Sequence, residues 1–216
     1  MTHLVMFDVD GTLVDSAGFD GALYAQAIRE VLKVDVDETW KSYRNVTDSG
    51  VLEEILARGE FHESVETLRV AVKRKFIESM QSYLARNPAA IREIAGAKAL
   101  IDTLCTVPGV RVAIATGGWL ETARLKLNGI GVVIENLAFA SASDGLERTA
   151  IMRVAEQRAL LGAEASRKTY FGDGPWDKRA SFDLGYEFVA VGRNVEHEVL
   201  FEDLANHKAV LACLAV

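Results

Sequence analysis

Five short apolar runs, each ending at polar or glycine residues, most constrain how this chain can fold. They occupy residues 4–7, 111–115, 137–140, 169–171 and 188–191. Helical patterns separate the later runs, at residues 120–127, 148–161 and 178–184. Strands that alternate with helices predict an α/β fold, a parallel sheet with helices on both faces.

The long interval between the first two runs has helical periodicity. Apolar residues recur at steps of three or four, the spacing of one helix face, at Val65, Leu68, Val72, Phe76, Met80 and Tyr83. A structureless loop of this length is uncommon in a compact domain. We therefore predict an all-helical cap over residues 17–92, inserted into a core formed by residues 1–16 and 93–216.

Composition excludes several classes of protein. Of the 216 residues, 50% are hydrophobic and 25% are charged, which is typical of a globular chain and not of a disordered one. The net charge is −7 and no basic run occurs, so a nucleic-acid partner is not expected. No apolar stretch is long enough for a membrane span or a signal peptide, which predicts a cytoplasmic protein without a membrane partner. Cys105 and Cys213 form no CxxC pattern and are expected to be buried thiols.

Acidic residues follow two of the apolar runs. Asp8 and Asp10 come directly after the first run, and Asp173 and Asp177 follow the fourth. The carboxyl ends of parallel strands meet at one edge, so these side chains are expected on one rim, where ligands bind in open α/β sheets. Two carboxylates about 4 Å apart repel by roughly 4 kcal/mol at an effective dielectric constant of 20. Such an all-oxygen cluster favours Mg²⁺.

Two turns beside these clusters suit an anion. Gly11 follows Asp10 and lets backbone amides approach a ligand closely. The second apolar run ends at Thr116 and Gly117, so a hydroxyl and the amides after it can hold phosphoryl oxygens.

With these segments in place, the chain resembles the haloacid dehalogenase superfamily of phosphohydrolases. The residues 8–12, DVDGT, match its first motif, Thr116 its second, and residues 172–177, GDGPWD, its fourth. The resemblance implies a Rossmann-like core, a Mg²⁺ ion and an aspartyl-phosphate intermediate. It assigns Asp8 as nucleophile and metal ligand, Asp10 as general acid and base that binds Mg²⁺ through its carbonyl, Asp173 as a further ligand, and Asp177 as a supporting residue.

The third motif of that family normally supplies a lysine, and here the matching segment has none. Arg148 occupies the expected place and can supply a fixed positive charge beside the nucleophile. Lys168 is the alternative, but its position at the start of a strand points away from the catalytic rim. We favour Arg148.

The function expected from these features is Mg²⁺-dependent hydrolysis of a small phosphorylated metabolite, a phosphate monoester, by a monomer or homodimer. A phosphomutase or phosphonatase of the same superfamily would use the same Asp8. A non-catalytic phospho-accepting protein, such as a receiver-like domain, is an alternative of a different class. Such a domain has no need of Asp10, and its presence therefore favours an enzyme.

The core motifs contact only phosphate, metal and reacting oxygens, so substrate selection is assigned to the cap. Its least helical and most polar stretch before a new helix is residues 44–48. Thr47 or Asp48 is expected to cap that helix. Arg44 and Asn45 are therefore the positions predicted to contact the substrate.

Overall fold

A computed structural model describes residues 2–216. Its strands are β1 (His3–Phe7), β2 (Val14–Asp15), β3 (Arg92–Glu93), β4 (Val110–Ala115), β5 (Ala138–Ala140), β6 (Arg167–Gly172), β7 (Glu187–Val191) and β8 (Leu200–Phe201). Its α-helices are α1 (Asp20–Leu32), α2 (Asp48–Arg58), α3 (Val65–Arg86), α4 (Ala97–Thr106), α5 (Leu120–Gly129), α6 (Arg148–Leu160), α7 (Pro175–Leu184) and α8 (His207–Leu214).

Six strands form one parallel sheet in the order β5-β4-β1-β6-β7-β8. β1 lies inside the sheet, with β4 on one side and β6 on the other. The chain therefore builds the sheet outward in both directions from β1. In such sheets the crevice for a ligand opens where the direction reverses, at the carboxyl ends of the strands.

Side chains of β1 explain why the first apolar run is continuous. All five residues of the strand are buried, because helices cover both faces of the sheet. Leu4 and Met6 pack into one hydrophobic cluster with residues of α6 and α7, whereas Val5 and Phe7 pack into a second with residues of α4, α5 and α8. The predicted α/β class is confirmed.

Helices α1, α2 and α3 lie between β2 and β3, which pair antiparallel with each other. The predicted apolar face of α3 is buried at Leu68, Val72, Phe76 and Met80. α2 begins at an N-cap, Thr47, whose side chain accepts a hydrogen bond from the Gly50 amide. One of the two expected capping residues therefore caps this helix.

Parts of the structure differ from expectation. Helices α4 and α8 and the two-residue strands β2, β3 and β8 are not predicted from the apolar pattern. The expectation of two buried thiols is wrong for Cys105, which is exposed near the end of α4, and Cys213 is half-buried. A helix buries only one face, so an apolar residue type at a given position need not be inside. Within residues 2–216 no helix is both long enough and apolar enough to cross a membrane.

Candidate active site

Three neighbouring strands end in polar residues at the carboxyl edge of the sheet. Asp8 follows β1, Thr116 follows β4 and Asp173 lies just beyond β6. β1 pairs with both other strands, so the three residues converge on the crevice described above. They line one cavity of about 500 Å³, together with residues of α1 and α2 on its opposite wall.

Arg148, the first residue of α6, lies between two buried carboxylates. Its Nη1 is 3.1 Å from Asp8 Oδ1 and 2.9 Å from Asp177 Oδ1. The Tyr170 hydroxyl is 3.4 Å from the same nitrogen and 3.3 Å from Asp177 Oδ1. A Cβ at Gly117 would lie 2.5 Å from Arg148 Nη2, so glycine leaves the space that this side chain occupies.

The alternative cation, Lys168, lies elsewhere. Its Nζ is 3.4 Å from Glu156 Oε1 and 4.7 Å from the centre of the Tyr186 ring. The charge of Lys168 is therefore paired away from Asp8. Of the two candidates for the third-motif charge, the structure brings only Arg148 to Asp8.

Asp173 lies against the turn that follows Asp8. Gly11 has a φ of 76°, in the left-handed region, and a side chain there would overlap the Asp173 carboxylate. Asp173 Oδ2 accepts a hydrogen bond from Asn194 Nδ2 at 3.0 Å. The glycine after Asp10 is therefore required both by the turn and by the close approach of the second acidic cluster.

The acidic cluster fits a hard divalent cation. Oxygens of Asp8, Asp173 and Asp177 lie within 4.8 Å of one another. Asp177 is already engaged, since Oδ1 pairs with Arg148 and Oδ2 accepts from the Gly174 amide at 3.0 Å. Asp8 contacts Arg148 through Oδ1 and Asp173 contacts Asn194 through Oδ2, so each can offer its other oxygen to an ion. Asp177 instead fixes Arg148 and the start of α7.

Burial makes the charged form of these carboxyls costly. It raises the pKa of Asp173 to about 7, and the neighbouring charge of Asp8 adds to the rise. It also raises the pKa of Asp8, against the lowering effect of Arg148. A bound divalent cation would favour the ionised forms. It would offset the cost of burying several negative charges close together.

Thr116 is buried at the end of β4. Its Oγ1 accepts a hydrogen bond from the Gly118 amide at 3.1 Å, which closes the turn before α5. The Gly117 carbonyl in turn accepts the Asp48 amide at 2.7 Å, and Asp48 Oδ2 accepts the Trp119 amide at 2.8 Å. The start of α2 is therefore bound directly to the turn after β4.

Sequence analysis missed one charged residue of this site, Lys126. It lies on α5 with a fully buried side chain. Its Nζ is 2.6 Å from Asp10 Oδ1, 2.7 Å from Asp10 Oδ2 and 2.7 Å from Asp20 Oδ1. Burial lowers the pKa of the ammonium, but Asp10 and Asp20 together outweigh burial and leave that pKa above its ordinary value. From the sequence alone, a lysine within a helical pattern is expected to be exposed to solvent.

The residues predicted to contact substrate from the cap lie beside this cavity. Arg44 and Asn45 line a neighbouring cavity of about 450 Å³ that also includes Arg148, whereas Val46, Thr47 and Asp48 of the same segment line the one containing Asp8. The two cavities share three lining residues, Trp40, Val46 and Trp176. The structure therefore does not bring Arg44 and Asn45 into the cavity of the acidic cluster, but next to it.

A family model matches this arrangement of segments. The model for haloacid dehalogenase-like hydrolase matches residues 5–180, which include Asp8, Thr116, Arg148 and Asp173. The chain belongs to the haloacid dehalogenase-like hydrolase family. The resemblance drawn from the sequence motifs is confirmed.

Solved structures share the fold of this chain. A hydrolase from Pseudomonas syringae is 20% identical, with a TM-score of 0.76 and coverage of 100% of both chains. CbbY from Rhodobacter sphaeroides in complex with phosphate is 18% identical, with a TM-score of 0.72 and coverage of 95% of this chain and 96% of that one. β-Phosphoglucomutase from Clostridium difficile is 14% identical, with a TM-score of 0.72 and coverage of 98% and 96%. A search of the curated proteins found no match to the chain.

Proposed function

We propose that this hydrolase removes the phosphoryl group from a small-molecule phosphate monoester through an aspartyl-phosphate on Asp8, with Mg²⁺ as cofactor. The observation that carries the proposal is the setting of Asp8. It is a buried carboxylate at the switch point of the sheet, 3.1 Å from Arg148 and within 4.8 Å of Asp173. A cation on one side and a second carboxylate on the other suit a nucleophile that must meet a phosphate dianion.

Mg²⁺, when held by the carboxylates of Asp8 and Asp173 and the carbonyl of Asp10, would offset the negative charge of phosphate and nucleophile. Arg148 adds a fixed positive charge to the same region and orients the Asp8 carboxylate. The Thr116 hydroxyl and the Gly117 amide bind the phosphoryl oxygens, since the Gly118 and Trp119 amides donate to Thr116 and Asp48. Asp177 holds Arg148 in place.

Two steps follow from these roles. In the first, an Asp8 oxygen bonds to phosphorus, the bond from phosphorus to the ester oxygen breaks, and Asp10 gives its proton to that oxygen. In the second, Asp10 takes a proton from water, the water oxygen bonds to phosphorus, and phosphate leaves while the Asp8 carboxylate is restored. Asp10 thus serves as acid and then as base.

We propose that residues 17–92 form the cap and that residues 1–16 and 93–216 form the core. α1 and α2 form the wall of the cavity that faces Asp8, with Tyr24 and Val51 among its lining residues. A leaving group that extends past Trp40 and Trp176 would reach Arg44 and Asn45 in the neighbouring cavity. Their predicted part in substrate selection therefore concerns the distal end of the substrate.

Phosphoryl transfer within a sugar phosphate is the second candidate function. It is suggested by the likeness of the fold to a β-phosphoglucomutase from Clostridium difficile, which extends over 98% of this chain and 96% of that one. A mutase returns the phosphoryl group to another substrate hydroxyl, whereas a phosphatase passes it to water.

Phosphate release from a panel of phosphate monoesters, with Mg²⁺ and then with a chelator, tests the proposal. We expect release from at least one ester with Mg²⁺ and none after chelation. Isomerised sugar phosphate without free phosphate would favour the mutase. No turnover and no isomerisation across the panel would contradict both.

A further inference from the structure

Lys126 is a buried cation that the mechanism above does not use. Its side chain has no exposure to solvent, although it lies on α5 beside apolar residues of the core. A lysine in such a position loses its hydration and is tolerated only with close anionic partners. Its partners are Asp10 and Asp20, each at 2.6–2.7 Å.

Contacts around Asp10 differ between its two oxygens. Oδ1 accepts from Lys126 and from the Ser16 hydroxyl. Among residues 2–216, Oδ2 accepts from Lys126 alone, at 2.7 Å. Each carboxylate oxygen has two acceptor positions, so Oδ1 is saturated and Oδ2 retains one free position. Asp10 also lines the cavity, with 28% of its side chain exposed, so a substrate can approach this carboxylate.

Asp20 connects this arrangement to the helices between β2 and β3. It is the first residue of α1, and it shares the Lys126 ammonium with Asp10. The three hydrogen atoms of the ammonium match the three contacts. Asp10 is therefore held from a core helix, and the same ammonium is held from α1.

We propose that Lys126 is the positioning residue of Asp10: it fixes the carboxylate with Oδ2 directed to the leaving oxygen, and Asp20 makes that position depend on α1. The proposal rests on the proposed function, since it gives a task to the acid and base of that reaction. Without this contact, rotation about the side-chain bonds of Asp10 would allow rotamers that direct both oxygens away from a substrate. The contact with Lys126 excludes those rotamers.

A pair of substrates separates positioning of the acid from a general structural effect. An alkyl phosphate needs a proton on its leaving oxygen, whereas nitrophenyl phosphate has a good leaving group and needs it far less. In Lys126→Met we expect kcat for the alkyl ester to fall by about a hundredfold, the scale of general acid catalysis, and kcat for the nitrophenyl ester to fall by less than about tenfold. KM should change little for both, since Lys126 does not line the phosphate-binding turn.

A double-mutant cycle with Asp10→Asn tests whether Lys126 acts through Asp10. Once Asp10 cannot move a proton, Lys126→Met should cause no further loss on the alkyl ester. Asp20→Asn keeps Lys126 on Asp10 and weakens only the link to α1, so its loss should fall between wild type and Lys126→Met. Lys98→Met, which removes an exposed lysine paired with Asp102 on α4, should leave both rates unchanged.

Each outcome of this set decides the proposal. Lys126 is not a positioning residue of Asp10 if Lys126→Met loses activity equally on both esters, or if it still loses activity in the Asp10→Asn background. In either case, activity of the wild type would still support the proposed function. If Lys126→Met does not fold, Asp20→Asn carries the test: an unchanged ratio of alkyl to nitrophenyl rates would overturn the proposal. A wild-type chain inactive on both esters would overturn the proposed function, and this proposal with it.

Discussion

Replacing Arg148 with methionine removes the guanidinium that lies between Asp8 and Asp177. At about 4 Å between charge centres, each attraction is roughly 4 kcal/mol at an effective dielectric constant of 20. Desolvation of the three charges offsets much of this sum, so the net loss on breaking such a buried pair is about 3–5 kcal/mol. Protonation of Asp8, whose pKa is raised by burial, reduces the loss at acidic pH. We expect the free energy of unfolding to fall by about 3 kcal/mol near pH 8 and by less near pH 6.

The kcat of folded Arg148→Met should also fall, in addition to any loss of activity caused by unfolding. Removal of one group that stabilises transition-state charge costs about 10²–10³ in kcat. Phosphate release under saturating ester measures this loss, and urea unfolding at both pH values measures the stability. Arg148→Lys keeps the charge without the fork of donors and should give an intermediate rate.

Lys168→Met is the matched control for Arg148. Its partner Glu156 is 3.4 Å away and both side chains are 26% exposed, so the loss of stability should be under about 1 kcal/mol. Its rate should equal that of the wild type. The reasoning fails if Arg148→Met turns over at the wild-type rate, or if Lys168→Met loses as much activity.

Three further predictions concern the proton, the metal and the substrate. Asp10→Asn should lose more activity on an alkyl phosphate than on nitrophenyl phosphate, and equal losses would contradict its role as acid. Burial raises the pKa of Asp173 to about 7 from its ordinary value of 3.8, so without a metal ion this carboxyl lowers stability as the pH rises from about 4 to about 7. Mg²⁺ binds the ionised form, so thermal melting should show a larger Mg²⁺-induced rise in Tm at pH 8 than at pH 6. Asp173→Ala should reduce this rise in Tm, and a rise independent of pH would count against this site. Substituting Arg44 and Asn45 should change the ranking of esters in a panel without changing the Mg²⁺-induced rise in Tm, and an unchanged ranking would place selection elsewhere.

Residues that end strands could be predicted from the sequence, because a parallel sheet brings its carboxyl edges together by geometry alone. Asp8, Asp173 and Thr116 follow apolar runs, and pairing of β1 with β4 and β6 gathers them. Arg148 was predicted from the resemblance to the family, because it stands where the third motif normally has a lysine, and the structure brings it to Asp8. The acidic cluster therefore follows from local pattern plus one rule of topology, whereas its cationic partner required the family resemblance.

Lys126 could not be predicted in this way. Its partners lie 116 residues away, at Asp10, and 106 residues away, at Asp20. Nothing in the helical pattern around it distinguishes a lysine that is buried on two distant carboxylates from one in solvent. Similarly, Cys105 has apolar neighbours in the sequence but lies on the exposed face of α4. Burial of a single helical residue depends on which face packs, and that is set by tertiary contacts.

Trapping the phosphoryl group on Asp8 tests the central claim most directly. The protein is mixed with Mg²⁺ and nitrophenyl phosphate, quenched in acid during turnover, digested and analysed by mass spectrometry. We expect a phosphoryl mass increment on the peptide that contains Asp8, and none in Asp8→Asn, whose amide has the shape of the carboxylate but cannot attack. A phosphoryl group found on another residue, or turnover by Asp8→Asn at the wild-type rate, would contradict the account.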